Sequence, residues 1–393
     1  MERIGTSPVI IVGGGPVGLS LAWRLDQAGI AVKLFEAEDE IADQLRASTF
    51  HPPTLDMFDA SGITAEIIAK GQVTPRWQIR MLSTAERAEF DLGVLSNDTA
   101  HPYRLQCRQA ELSRAILARL SKGVAHFGAH VSAVAQDACG VTITVDGEEI
   151  RGSVLVGCDG ARSIVREAVG ATFDGDTYPE TTILVTTHFP FENHIEGLSG
   201  VNYIWKPNGT FSLLRLPDLW RISLHPAEGQ GVEAAMEDDA VRAQVRSVIP
   251  DAGDIDIVEK RVYRVHRRVA SQYRRARMFL AGDAAHLNSP KGGMGMNGGI
   301  HDAWSLADKL IAVAGGADDD LLDRYERQRR VIAHDDIVMQ ADKNRARMNT
   351  TDETARRAHL RELQQIAADP AHARVFLRKS SMIDGLKRAE GIA

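Results

Sequence analysis

Two glycine-rich runs, each following an apolar strand and each accompanied by an acid, are the residues of this chain that could do chemistry. In the second, Gly282-Asp283 is followed by Pro290 and then by Gly292, Gly293, Gly295, Gly298 and Gly299, a backbone with few side chains. Met278 to Ala281 ahead of it reads as a short buried strand, so Asp283 stands at a strand's carboxyl end, where open α/β sheets place their ligands. A helical pattern follows through Ala303, Leu306, Ala307 and Leu310. Such a loop lets main-chain N–H groups and a helix N-terminus approach a flat or anionic ligand. Glycine clusters also make ordinary turns, so a partner site decides the matter.

The N-terminus holds that partner. Pro8 to Val12 is an apolar strand, Gly13-Gly14-Gly15-Pro16-Val17-Gly18 follows at once, and Leu19 to Ala28 reads as a helix closed by Gly29. The next strand, Ala31 to Phe35, ends in Glu36, eighteen residues beyond Gly18, where an acid bonds a ribose hydroxyl. Strand, GxGxxG, helix and acid together predict a dinucleotide site; a plain glycine turn would leave Glu36 unexplained. A third strand, Val154 to Gly157, runs into Cys158-Asp159-Gly160-Ala161-Arg162-Ser163, with Arg166 one turn into the next helix.

The elements that must position these groups come from an ordinary globular composition. The 393 residues are 44% hydrophobic and 25% charged, enough for two sub-domains around a substantial core. A net charge of −7 with scattered basic residues leaves no footprint for nucleic acid. No apolar run approaches the ~20 residues of a membrane span, and no cleavable signal pattern precedes the first strand, so a cytoplasmic location is expected. Cys107, Cys139 and Cys158 lack CxxC spacing and a histidine-rich neighbourhood, which disfavours a disulfide framework and a metal site. Prolines 52 and 53 are expected to delay a helix until Thr54, and Arg108-Gln109 opens another. Residues 131 to 151 form a small meander turning at Asp146-Gly147. Leu321 to Arg347 reads as one long polar helix. Apolar residues from Val375 to Leu386 mark a surface helix docking on the protein's own body.

Three motifs in this order, GGGPVG with Glu36, CDGARSIVR at 158–166 and GDAAHLNSPKGGMGMNGGIHDA at 282–303, resemble the single-component FAD-dependent aromatic hydroxylases typified by p-hydroxybenzoate hydroxylase. The resemblance spans residues 8 to about 330 and implies an α/β fold: a Rossmann-like FAD-binding domain with an inserted mixed or antiparallel β-sheet substrate domain and C-terminal helices. It places the FAD domain at 1–175 and 272–345, with 76–103 contributing to the substrate sheet. The sheet domain falls at 176–271 and the closing helices at 346–393. Gly13, Gly15, Pro16, Val17 and Gly18 would hold the diphosphate and Glu36 the adenosine ribose. Asp159, Gly160 and Arg162 match the motif linked to both FAD and the nicotinamide cofactor. Asp283 would bond the ribityl chain. Gly293, Met294, Gly295, Met296 and Asn297 would present backbone to the pyrimidine end of the ring, and Arg46, Arg108 and Gln109 are further FAD contacts. Pro290 would lie beside the reacting oxygen. His286 fits the pattern but reads as structural.

The activity so implied is NADH- or NADPH-dependent monooxygenation, O2 adding to the reduced flavin and a flavin hydroperoxide hydroxylating a small phenolic or heteroaromatic, acidic substrate. His188, Tyr203, Trp205, Phe211, Arg215 and His225 are the candidates to line the pocket, with Tyr203 and His225 the candidates to act on the substrate; packing is the alternative for each. The acidic run Glu38-Asp39-Glu40 disfavours the 2′-phosphate of NADPH if it meets the cofactor, and otherwise is a solvated helix start. A monomer or homodimer is expected. A quinone-pathway hydroxylase or an epoxidase of polyketide or isoprenoid substrates would keep all three motifs, and a non-catalytic FAD-binding redox protein is the reading outside enzymology. A flavin-dependent halogenase lacks its WxWxIP signature here, Trp205-Lys206-Pro207 being the nearest string.

Overall fold

The strand Val9–Val12 is buried along its whole length, as a continuous apolar run in the middle of a parallel sheet must be. In the computed structural model, which describes residues 4, 7–43, 47–207, 209–227 and 229–393, it pairs in parallel with Val32–Phe35 on one side and Val154–Gly157 on the other. Met278–Leu280 extends the sheet beside Val154–Gly157, and Ala125–His126 and Arg274–Arg275 close its two edges. The three motif loops therefore leave neighbouring parallel strands at the same end. The helices Pro16–Gln27 and Met294–Ala314 pack together against this layer.

A second, eight-stranded sheet runs in the order His286–Leu287, Glu259–Ala270, Phe173–Thr187, Trp220–Leu224, Gly209–Arg215, Val201–Lys206, Arg76–Met81 and Arg87–Asp91. It is mixed: Val201–Lys206 pairs in parallel with Arg76–Met81, and the other neighbours are antiparallel. Its two faces differ. Ile183, Val185, Ile204, Phe211, Leu213 and Ile222 form a core with Val241 and Val245 of the helix Asp238–Arg246. Trp77, Ile79, Val201, Tyr203, Trp205 and Leu214 look the other way, toward the C-terminal helices through Met348, Leu360 and Leu377.

Two local readings are corrected. The helix after His51 begins at Pro52, not Thr54, because prolines at the first two helical positions lack only N–H groups that would have no partner there. The polar stretch after residue 320 is helical to Asn349 but is broken by a π segment, Ala333–Val338, and it buries Leu322, Tyr325 and Ile332. The strand Glu259–Ala270 is long enough to pair with Phe173–Thr187 through most of its length. In the meander, Asp146 and Gly147 both have positive φ, the hairpin geometry their sequence favours.

Candidate active site

The first loop is built for close approach. A side chain at Gly13 would meet Cys158 O at 2.3 Å, one at Gly18 would meet Gly13 O at 2.0 Å, and one at Gly15 would meet nothing within 4 Å. The loop is thus packed tightly against the sheet and open in front. Pro16 takes the first helical position, where its missing N–H costs nothing, and Val17 beside it touches the positions of Gly282 and Gly299 in the third motif. Glu36 turns back to this loop, its Oε2 accepting the Gly14 N–H at 2.5 Å and its Oε1 the Glu38 N–H at 3.0 Å.

The second and third motifs are joined by one residue. Arg166, buried on the helix Ile164–Val169, donates to Ala284 O at 3.0 Å and Ala161 O at 2.7 Å while its guanidinium lies over the Phe173 ring. Beside it, burial holds the Asp159 carboxyl above the usual range, and its Oδ1 has no hydrogen-bond partner. Gly160 has a positive φ and Arg162 is exposed. Asp283 and Pro290 are exposed although the residues between them are buried.

Behind Asp283, Asp302 accepts the Gly282 N–H at 3.1 Å, is joined to His286 Nε2 at 2.8 Å and accepts from Arg329 Nε at 2.6 Å. His286 is therefore part of the loop's support.

Gly293, at φ 69, caps the helix Met294–Ala314, and its N–H bonds Pro290 O at 3.0 Å. The N–H groups of Met294, Gly295 and Met296 have no acceptor within the helix and point out of its first turn. The Asn297 side chain is fully used inside the protein: Oδ1 accepts the His51 N–H at 2.9 Å, and Nδ2 donates to Thr49 O at 2.9 Å and Gly293 O at 2.7 Å. It serves by position.

A line of polar groups leads from this loop to the second sheet. His51 is buried, its Nε2 on Gly292 O at 2.8 Å, and burial with the nearby Arg104 guanidinium pushes it down to about 3, so it stays neutral. Arg104 lies over the Trp77 ring and acts on the Tyr203 phenol, as does Arg221. Burial raises that phenol above its ordinary value and the two cations oppose the rise.

On the other side of Pro290, Lys291 donates to Asn349 Oδ1 at 2.7 Å, and Asn349 donates to Glu180 Oε1 at 2.5 Å. Burial pushes Lys291 down to about 8, and burial together with Lys291 pushes His225 to about 4. His225 bonds Thr181 O at 3.1 Å through Nδ1.

Of the pocket candidates, Tyr203 and Trp205 share the sheet face on which the C-terminal helices pack, and His225 stands next to Lys291. Phe211 faces the opposite core, and exposed His188 pairs with Asp256 at 2.7 Å. Arg215 pairs with Glu192 at the rim of a cavity of about 520 Å³ between Gln72–Arg76 and Gly197–Gly200. That cavity is lined by none of the motif residues, so it is a separate feature. Arg108 caps the helix Gln109–Leu117 and reaches Asp43 O at 3.4 Å, with Gln109 partly buried beside it. Arg46 lies outside the described residues. Arg104, Asp302 and Arg329 were not singled out in the sequence, and Arg166 was placed on its helix without a role; the HDA at the end of the third motif carried a local signal for Asp302.

The residues present fit an FAD: a phosphate cradle open only in front of Gly15, an acid folded onto it, an orphaned buried carboxyl oxygen at Asp159 and a free helix N-terminus beyond Pro290. A family description for an FAD binding domain matches residues 6–341. Para-nitrophenol 4-monooxygenase of Pseudomonas sp. strain WBC-3 is 33% identical over 399 residues, covering 97% of each chain. The 6-hydroxy-3-succinoylpyridine 3-monooxygenase HspB of Pseudomonas putida is 32% identical over 82% of this chain and 84% of its own. The crystal structure of p-nitrophenol 4-monooxygenase PnpA from Pseudomonas putida superposes with a TM-score of 0.87 at 31% identity, covering 98% of this chain and 99% of that one. Motif geometry, whole-chain similarity and fold agree, and the chain belongs to the FAD-binding-domain family, among its flavin-dependent aromatic monooxygenases.

Proposed function

We propose that this enzyme uses NADH or NADPH and O2 to hydroxylate a small phenolic or heteroaromatic substrate lying between Pro290 and the inner face of the eight-stranded sheet. The observation that carries the reading is the succession Gly292, His51, Arg104, Tyr203, a hydrogen bond followed by two charge interactions, which leads from the motif loop to a buried phenol on the second sheet. In this reading the parallel-sheet layer, residues 1–175 and 272–345, holds FAD, and residues 176–271 with the strands of 76–103 cover the substrate.

Bound FAD would supply the reduction of O2 and the oxygen transfer. Gly13, Gly15, Pro16, Val17 and Gly18 would hold its diphosphate and Glu36 its ribose. Asp283 would hold the chain leading to the ring, and the first turn of the Met294 helix the electron-rich edge of the ring.

The protein's own part is to orient and to exclude water. Tyr203 keeps its proton and donates a hydrogen bond to the substrate's ring oxygen, which lowers the cost of ionising a phenol and makes the ring more electron-rich. Neutral His225, beside Lys291, closes the opposite wall. Two similar monooxygenases act, by their names, on a nitrophenol and a hydroxypyridine, both hydroxylated six-membered aromatic rings. Incubating the FAD-loaded enzyme with NADH or NADPH and single aromatics tests the reading: cofactor oxidation should accelerate with a phenol or hydroxypyridine, and a hydroxylated product should form in proportion. Acceleration without any oxygenated product across such a panel would leave an oxidase or redox protein.

A further inference from the structure

Five arginines are buried among the described residues: Arg80, Arg104, Arg166, Arg329 and Arg356. Four have acceptors. Arg80 donates to Glu196 O, Arg166 to two carbonyls, Arg329 to Asp302, and Arg356 to carbonyls including Lys206 O. Arg104 alone of the five finds neither a hydrogen-bond acceptor nor an ion pair for its side chain among the described residues, although it is 4% exposed and its Nε is wholly enclosed. One face of its guanidinium lies over Trp77 at 5.2 Å, which leaves the in-plane N–H groups to be satisfied.

Among the described residues, the groups around it supply no negative charge. His51 is neutral, and burial keeps the Tyr203 phenol protonated. Arg221 brings a second cation toward the same phenol. A buried cation is retained where an anion meets it, since an unpaired charge in such a place is strongly destabilising. The planar fork of an arginine suits a carboxylate or a delocalised oxyanion in its own plane.

We propose that the substrate binds as an aromatic anion whose charged group pairs with Arg104, with Tyr203 and Arg221 completing the pocket. The inference rests on the hydroxylase reading and narrows it: a neutral aromatic would fill the same space and leave Arg104 uncompensated. The charged group is a carboxylate or an ionised ring oxygen.

Calorimetric titration of the FAD-loaded enzyme with matched probes separates these. The pair 4-hydroxybenzoate and 4-hydroxybenzamide tests a carboxylate; 4-nitrophenolate and 4-nitroaniline test an ionised ring oxygen. In at least one pair the anion should bind on the order of 30-fold tighter than its neutral partner, and Arg104→Gln should abolish that preference. Should the glutamine variant not fold, Arg104→Lys keeps the charge but not the planar fork, and should reduce the preference without reversing it. Equal binding of anion and neutral partner in both pairs, or an undiminished preference in Arg104→Gln, would overturn the proposal. The two readings fail separately. Coupled hydroxylation of neutral aromatics with no preference for anions removes the anion site and leaves the hydroxylase; anion binding without oxygenated product removes the hydroxylase.

Discussion

Arg329 and Asp302 form an ion pair that water does not reach, Nε to Oδ1 at 2.6 Å with side-chain exposures of 1% and 0%. Burial opposes ionisation of Asp302, but Arg329 and His286 together hold its carboxyl below the usual range. Its second oxygen fixes the Gly282 N–H, one residue before Asp283. The pair, on two successive helices, thus sets the loop that presents Asp283 through Asp302, twenty residues beyond Gly282.

Breaking this pair from one side leaves a buried charge without compensation. Arg329→Met should cost about 3–5 kcal/mol of stability, read as a lower urea midpoint, and should speed FAD loss by releasing Gly282. Replacing both members, Asp302→Leu with Arg329→Met, should cost less than the single change. A double variant as unstable as the single one would show that packing rather than charge sets the penalty.

Cofactor content is the direct measure of the glycine cradle. Gly18→Ala places a methyl group 2.0 Å from Gly13 O, so the loop must shift, and the purified protein should be colourless or nearly so. The unaltered protein should be yellow and release FAD, not FMN, on heating, because the loop and Glu36 address the adenosine half. Asp283→Ala should keep the fold and weaken FAD binding or slow flavin reduction.

Acid should destabilise the fold through its buried neutral histidines. His51 and His301 are pushed down to about 3 and His225 to about 4, burial being the first cause in each. An unfolded histidine takes its proton near 6.5, so between that value and the folded one only the unfolded chain is protonated. Stability present above about pH 6.5 is therefore lost as pH falls, by about 2 kcal/mol per histidine at about pH 5. His301→Gln should lose correspondingly less between pH 7 and 5 in denaturant titrations. Parallel curves for the two proteins would mean that His301 titrates normally.

Tyr203→Phe removes the hydroxyl and little volume. We expect kcat for hydroxylation to fall at least about tenfold, while FAD content and the spectrum of the bound flavin stay unchanged. A fall confined to KM would make Tyr203 a binding contact only.

For the nicotinamide cofactor, Glu38, Asp39 and Glu40 are all exposed just past Glu36. A 2′-phosphate brought beside them meets like charge, so kcat/KM with NADH should equal or exceed that with NADPH. A tenfold preference for NADPH, roughly 1.4 kcal/mol, would place the phosphate elsewhere.

The cofactor motifs were legible in the sequence because each is a short-range object. Strand, glycine turn and helix follow one another within about twenty residues, and the physics of a helix N-terminus or a side-chain-free turn needs no distant partner. Glu36 was found the same way, by its offset from Gly18. The proline pair at 52 and 53 misled for a local reason too: proline ends a helix in its interior but is welcome in its first turn.

What only the tertiary structure decided depends on long-range pairing. Whether Tyr203 or Phe211 shares the sheet face of Trp77 is set by strand register, because adjacent side chains point to opposite faces and Ile204, not Tyr203, stands opposite Phe211. Arg166 reaches Ala284 across 118 residues, and Asp302 meets Arg329 across 27. In sequence each of these is one charged residue among many. Arg104 shows the same limit from the other side, since a cation is revealed as uncompensated only after the fold has gathered everything that could have answered it, and burial, which makes the missing partner costly, is a property of the packed chain alone.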